Sequence, residues 1–166
     1  MLKNLIAIVV LSITLSSCIK GTDNNFCDYD PCDYEAPDSE RQLVQDYLVA
    51  NNIIATEHCS GMYYVINNPG TGRTPEICNN VTVTYTGRLT DGSIFDQSTA
   101  PVSFPLSNLI AGWKNGIPLI KEGGSIQLII PPSLAYGTQP RFDQDGNVVI
   151  PANSILVMDI DLIQVQ

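Results

Sequence analysis

The side chains able to do covalent or metal chemistry are few: five cysteines, one histidine and two clusters of acids. Neither Cys27 with Cys32 nor Cys59 with Cys78 has the CxxC spacing of a zinc knuckle, and His58 is the only imidazole, so zinc is the weaker reading. The run Asp28-Tyr29-Asp30-Pro31-Cys32-Asp33 lacks the turn glycine and distal glutamate of an EF-hand calcium loop. In Asp143-Gln144-Asp145-Gly146-Asn147 the glycine falls at the wrong offset for such a loop. The first stretch reads as a solvated acidic spacer and the second as an Asp-Gly hairpin turn. No metal and no cofactor is expected. Trp113 is the only tryptophan, and for a lone tryptophan after a glycine, core packing is the ordinary role.

The opening residues carry their own chemistry. Lys3 precedes an apolar run from Leu5 to Leu15 broken only by Ser12 and Thr14. That is the length of a signal-peptide core and short of the roughly 20 residues that span a bilayer. Leu15-Ser16-Ser17-Cys18 resembles the bacterial lipobox, in which small residues admit a signal peptidase and the cysteine thiol takes a diacylglycerol. Residues 1–17 are therefore expected to be a removable lipoprotein signal peptide, with Cys18 the lipidated first residue. A second acyl chain would make the anchor stable, since burial contributes about 0.8 kcal/mol per CH₂. The expected location is the bacterial cell envelope, lipid-anchored at the outer membrane facing the periplasm or at the cell surface. Four cysteines then remain, an even number in a disulfide-permissive compartment. They allow three pairings. Proximity favours Cys27 with Cys32 and Cys59 with Cys78, without fixing the connectivity.

The chain has 166 residues, 44% hydrophobic and 15% charged, enough for one domain with a sizeable core. Its formal charge is -9, which repels phosphate backbones and argues against nucleic-acid binding. Residues 23 to 46 hold eight acids against the single base Arg41, whereas residues 57–166 have nine acids against five bases. The acidity thus belongs to a segment and not to the domain. Residues 18–38, with Gly21, Pro31, Pro37 and no apolar periodicity, read as a disordered acidic tether.

Residues 39–56 read as a short amphipathic helix. Ser39-Glu40-Arg41-Gln42 matches a capping box, Leu43, Val44, Tyr47 and Leu48 share one face, and Asn51-Asn52 offers a stop, with Ile53-Ile54 as a staple. Residues 57–166 form the remaining domain, with β-rich runs at Met62–Ile66, Val81–Thr86, Ile126–Ile130 and Ile155–Val165. Asp91-Gly92 turns the second of these runs into another strand. Leu106 to Leu119 can hold one short helix. Sheet plus helix gives an α+β class with a mainly antiparallel sheet.

Within this domain, Tyr85-Thr86-Gly87-Arg88-Leu89-Thr90-Asp91-Gly92-Ser93-Ile94-Phe95-Asp96-Gln97-Ser98 resembles the central signature of FKBP-type peptidyl-prolyl isomerases. In the family's order there follow Ile110-Ala111-Gly112-Trp113, Gly123-Gly124, Ile130 to Gly137, and Ile150-Pro151-Ala152-Asn153-Ser154 with Leu156 to Ile160. The resemblance spans residues 61–166. It implies an FKBP-like twisted antiparallel sheet wrapped around a short helix. It also implies an activity, rotation of X-Pro amides in exported polypeptides, against a barrier of about 18–20 kcal/mol. No nucleophile is needed. The task is to enclose the amide, hold the proline ring and bind the twisted carbonyl better than the planar one.

By the same resemblance Trp113 is the pocket floor, and Tyr85, Phe95, Phe104, Leu109 and Ile110 are its walls. The Ile110 N-H, the Tyr136 hydroxyl and the Asp96 carboxylate are its polar groups. Val102, Ile150 and Met158 are further contacts. Asp96 can equally be a turn carboxylate held by Tyr85, and Tyr136 a clamp for its own loop. Val102 and Met158 stand where well-known members have aromatic residues, so macrolide ligands, which the resemblance also implies, would bind more weakly. The loop from Thr138 to Val149 is longer than the family's usual flap. With only one short helix upstream, a monomer is expected. The competing reading is a proline-binding chaperone or scaffold on the same fold with little turnover.

Overall fold

The computed structural model describes residues 27–166. The proposed signal peptide, Cys18 and the first part of the acidic tether lie outside the described residues. Helix α1 spans Asp38–Ala50. Strands β1 (Thr56–Glu57), β2 (Tyr63–Asn68), β3 (Asn80–Arg88) and β4 (Ile94–Pro105) follow. Helix α2 is Ala111–Gly116, between single 3₁₀ turns at Leu106–Asn108 and Ile117–Leu119. The chain ends with β5 (Ser125–Ile130), a small β6–β7 hairpin (Arg141–Phe142, Val148–Ile150) and β8 (Leu156–Val165). The main sheet runs β1-β2-β5-β8-β3-β4, with every pairing antiparallel. No described helix is long and apolar enough to cross a membrane.

Alternation along β5 divides the molecule into two apolar clusters. Ile126, Leu128 and Ile130 join Met62, Val81, Val83, Trp113, Ile117, Ile160 and Leu162 in the main core. Ile129, pointing the other way by the period of two, packs with Tyr63 against Val44 and Leu48 of α1. Three of the four residues expected on the inner face of α1 pack there: Val44 and Leu48 are buried and Tyr47 partly so, but Leu43 is 53% exposed. Asn52 takes the left-handed conformation (φ 53°) that ends the helix, and the Ile53 N-H donates to the Leu48 carbonyl. Ile53 staples to the second cluster and Ile54 faces solvent.

The capping box does not form. Pro37 occupies the N-cap without a side-chain hydrogen bond, and its carbonyl accepts from the Glu40 and Arg41 N-H groups. Proline's fixed φ already suits the start of a helix. Glu40 is used elsewhere: its Oε2 accepts from the Ser133 N-H at 2.8 Å.

The four cysteines do not pair as proximity suggested. The bonds are Cys27–Cys78 and Cys32–Cys59, with Cα atoms 5.3 and 5.4 Å apart. They nest one loop inside the other, because the described arm runs back across the domain and meets partners that are distant in sequence. From Cys27 onward the acidic segment is therefore docked and is not the disordered tether expected up to residue 38. Ala36 is 3% exposed, the Tyr29 hydroxyl donates to Asn115 Oδ1 on α2 at 2.6 Å, and Lys114 Nζ lies 5.0 Å from the centre of the Tyr29 ring. Arg41, the lone base of that segment, pairs with Glu35, Asp38 and Glu57.

Helix α2 lies close to the sheet because two glycines face it. A Cβ on Gly112 would come within 2.6 Å of Ile130 side-chain atoms, and one on Gly116 within 2.5 Å of Leu128. Both partners are fully buried and cannot swing aside. Gly116→Ala should therefore cost about 1–2 kcal/mol net, overpacking (about 1–3 kcal/mol) outweighing alanine's helix preference of about 1 kcal/mol. Thermal denaturation should show Tm lower by about 3–6 °C, with partial recovery in Gly116→Ala/Leu128→Val. An unchanged Tm would mean that the helix has room to move away.

Candidate active site

A cleft of about 300 Å³ opens between α2, the β3–β4 hairpin and the segment after β5. Each wall has a local cause. Tyr85 lies on β3, opposite Ser98 of β4 and Ile160 of β8. Further along, Gly87 pairs with Asp96 while Arg88 pairs with Ile94, so Phe95 is an extra residue in β4. Such a bulge re-aims its side chain. The Phe95 ring lies over Gly87, where a Cβ would meet Phe95 Cζ at 2.5 Å and Met158 Sδ at 3.0 Å. Phe104 comes from the end of β4, Leu109 and Ile110 from the entry to α2, and Leu156 and Met158 from β8.

Trp113, only 5% exposed, closes the base. Its ring meets Tyr85 edge-on (5.3 Å between centroids, 81°) and Phe104 likewise (6.4 Å, 87°), with Tyr85 and Phe104 themselves 6.3 Å apart. These edge-to-face contacts suit the ring quadrupoles and fix all three planes. The Tyr85 hydroxyl donates to Asp96 Oδ2 at 2.8 Å. Burial, then the Asp96 carboxylate as acceptor and as charge, push the Tyr85 phenol up to about 12, so at neutral pH it is a fixed O-H donor. Both readings of Asp96 meet here, since it lines the cleft and is also held by Tyr85.

Ile110 is the N-cap of α2, and its carbonyl accepts from the Trp113 and Lys114 N-H groups. Tyr136 follows the 3₁₀ turn Pro132–Leu134. That loop is braced without the tyrosine side chain: the Pro132 carbonyl accepts from the Ala135 and Gly137 N-H groups, and the Gly137 carbonyl accepts from Asn153. The Tyr136 ring lines the cleft.

Nine of the eleven residues expected at the site line this one cleft: Tyr85, Phe95, Asp96, Phe104, Leu109, Ile110, Trp113, Tyr136 and Met158. Val102 and Ile150 do not. Val102 packs against the core opposite Val83, and Ile150 is buried in β7. Three further lining residues, Asn108, Arg141 and Leu156, escaped the sequence reading. Leu156 had a signal, since it sits two residues before Met158 on the same face of one strand. Arg141 had none, because its position depends on how the long loop folds. Among the described residues, no group of three or more His, Cys, Asp or Glu side chains is placed to hold a metal ion.

An antiparallel sheet wrapped on one short helix, with an aromatic cleft at their junction, is the architecture of the FKBP class of domains. The sequence model of the FKBP-type peptidyl-prolyl cis-trans isomerase family matches residues 71–163, and the chain belongs to that family. It is 44% identical over 109 residues to the probable FKBP-type peptidyl-prolyl cis-trans isomerase FkpA of Neisseria meningitidis, covering 64% of this chain and 38% of that protein. It is 38% identical over 129 residues to FkpA of Aeromonas hydrophila, covering 74% and 45%. The chain thus matches less than half the length of these curated relatives. Among solved structures it is similar to FkpA from Escherichia coli (TM-score 0.66, 35% identity, 77% of this chain and 60% of that one). It is also similar, at the same TM-score of 0.66, to a peptidyl-prolyl cis-trans isomerase from Pseudomonas syringae (32% identity, 80% of this chain and 98% of that one).

The raised Tyr85 pKa sets an alkaline dependence. An unfolded tyrosine releases its proton near pH 10 and Tyr85 in the fold only near 12, so the fold binds more protons between these values and loses stability as pH rises through them. Urea denaturation at pH 9 and pH 11 should show a smaller loss in Tyr85→Phe than in the unsubstituted chain. Equal losses would show that Tyr85 is not the group responsible.

Proposed function

We propose that the chain accelerates cis-trans isomerisation of X-Pro bonds in exported polypeptides, by enclosing the amide in the aromatic cleft without covalent chemistry. The observation that carries this is the set of Tyr85 and Phe104, each edge-to-face with Trp113, around a cleft whose lining residues are mostly apolar. A planar amide owes its barrier to resonance, which places charge on oxygen and partial double-bond character in C-N. Twisting the bond removes that charge separation, so a poorly solvating aromatic surround disfavours the planar form relative to the twisted one. Trp113 would floor the proline ring. The Tyr136 hydroxyl and the Ile110 N-H would orient carbonyls beside it, while the Tyr85–Asp96 bond keeps the wall rigid.

The rest of the proposal concerns place and partners. Two disulfides in a domain of this size suit an oxidising compartment, which agrees with a leader and a lipobox cysteine. We place the protein, as a monomer, on the envelope through lipidated Cys18, with proline-containing segments as clients and macrolides as competitors for the same cleft.

The test is refolding of a substrate limited by proline isomerisation, whose uncatalysed phase takes tens of seconds. The purified chain should shorten that phase. Trp113→Ala should lose on the order of tenfold in kcat/KM, and Tyr136→Phe about two- to tenfold, the loss of one hydrogen bond. No acceleration by the natively folded, unsubstituted chain would sink the isomerase reading, and equal rates in Trp113→Ala would refute the cleft as its site. The anchor is checked separately. Mass spectrometry of the protein from its own cells should find a mature chain starting at acylated Cys18, and an unmodified terminus elsewhere would overturn it.

A further inference from the structure

Arg141 brings a positive charge into the cleft. Its guanidinium lies 4.5 Å from the centre of the Tyr136 ring, and among the described residues it is, apart from Asp96, the one charged residue lining the cleft. The two charges are anchored on different rings, Asp96 on the Tyr85 hydroxyl and Arg141 over the face of Tyr136. Arg141 takes part in none of the ion pairs among the described residues. Asp143, two residues on, is turned to its own hairpin, where it accepts from the Asn147 N-H, Asn147 Nδ2 and the Asp145 N-H.

A guanidinium stacked on a ring keeps its edge donors free, in a planar fork that matches a carboxylate, and stacking has already restricted its rotamers. We propose that Arg141 sets the sequence preference of the cleft: an aspartate or glutamate flanking the bound proline pairs with the guanidinium, and a lysine or arginine there is repelled. The proposal deepens the isomerase reading above and rests on it. An exposed pair of this kind changes affinity by about two- to fivefold. Attraction and repulsion together therefore separate acidic from basic peptides by on the order of tenfold at low salt, and less at high salt.

The full chain would be presented with peptides in which the residue before the proline, or the one after it, is Glu, Gln or Lys. Isomerisation is read by exchange NMR and binding by Trp113 fluorescence, which reports on the cleft because no other tryptophan is present. The order Glu over Gln over Lys is expected in at least one of the two positions. Arg141→Gln should compress the Glu-to-Lys ratio to less than about twofold, Arg141→Glu should invert it, and Arg141→Lys, which keeps the charge, should preserve the order with a narrower spread. A ratio unmoved by Arg141→Gln and Arg141→Glu in both positions overturns the proposal. If no peptide were isomerised, the isomerase reading alone would fail, and the order of binding would still decide the role of Arg141. Binding of no peptide at all would overturn both.

Discussion

The close approach of α2 to the sheet sets the dimensions of everything around it. With no side chain on Gly112 or Gly116, the helix backbone rests directly on Ile130 and Leu128 of β5. Trp113 lies one residue along, turned about 100° around the helix axis. Its ring therefore enters the seam between helix and sheet, where Tyr85 and Phe104 each lie edge-to-face with it. Larger residues at the two glycine positions would lift the helix and open that seam. The base of the cleft is thus determined by what two residues lack.

The second constraint is that the walls belong to a strand pair with irregular register. A regular β3–β4 ladder would alternate its side chains, and Phe95 and Asp96 would face opposite sides. The bulge at Phe95 breaks the alternation, and Gly87 leaves the space that the displaced ring occupies. A second irregularity, between Val83 and Tyr85, sets Ser98 rather than a residue nearer Val102 opposite Tyr85. Pro101 lies in that interval, consistent with proline's confinement to edge strands and bulges. Few polar side chains line the cleft: the Tyr85 phenol, held neutral by burial and by Asp96, with Asn108, Tyr136 and Arg141.

Sequence patterns reached most of this. Alternation located the main strands, Asp91-Gly92 marked the β3–β4 turn, and the family resemblance named nine lining residues, seven of them inside the ordered motifs. The failures share one cause, a dependence on contacts between distant segments. The capping-box pattern at Ser39 is local, but the N-cap went to Pro37 and Glu40 was drawn to Ser133, 93 residues away. The acidic arm has a solvated composition, yet Tyr29 and Ala36 hold it to the domain. Arg141 reaches the cleft through the fold of a loop whose local sequence indicates only a turn.

The nested disulfides have a consequence for how the molecule acquires its covalent structure. In an unfolded chain the shorter rings, Cys27 with Cys32 and Cys59 with Cys78, close with a smaller loss of chain entropy, by roughly 2 kcal/mol for the two together. Random oxidation therefore favours a pairing that the folded domain does not contain. In the folded domain the native bonds coincide with the arm laid across α2 through Tyr29 and with α1 seated on Tyr63 and Ile129. The connectivity of the folded domain is accordingly one that packing of the arm and α1 favours and that proximity along the chain does not.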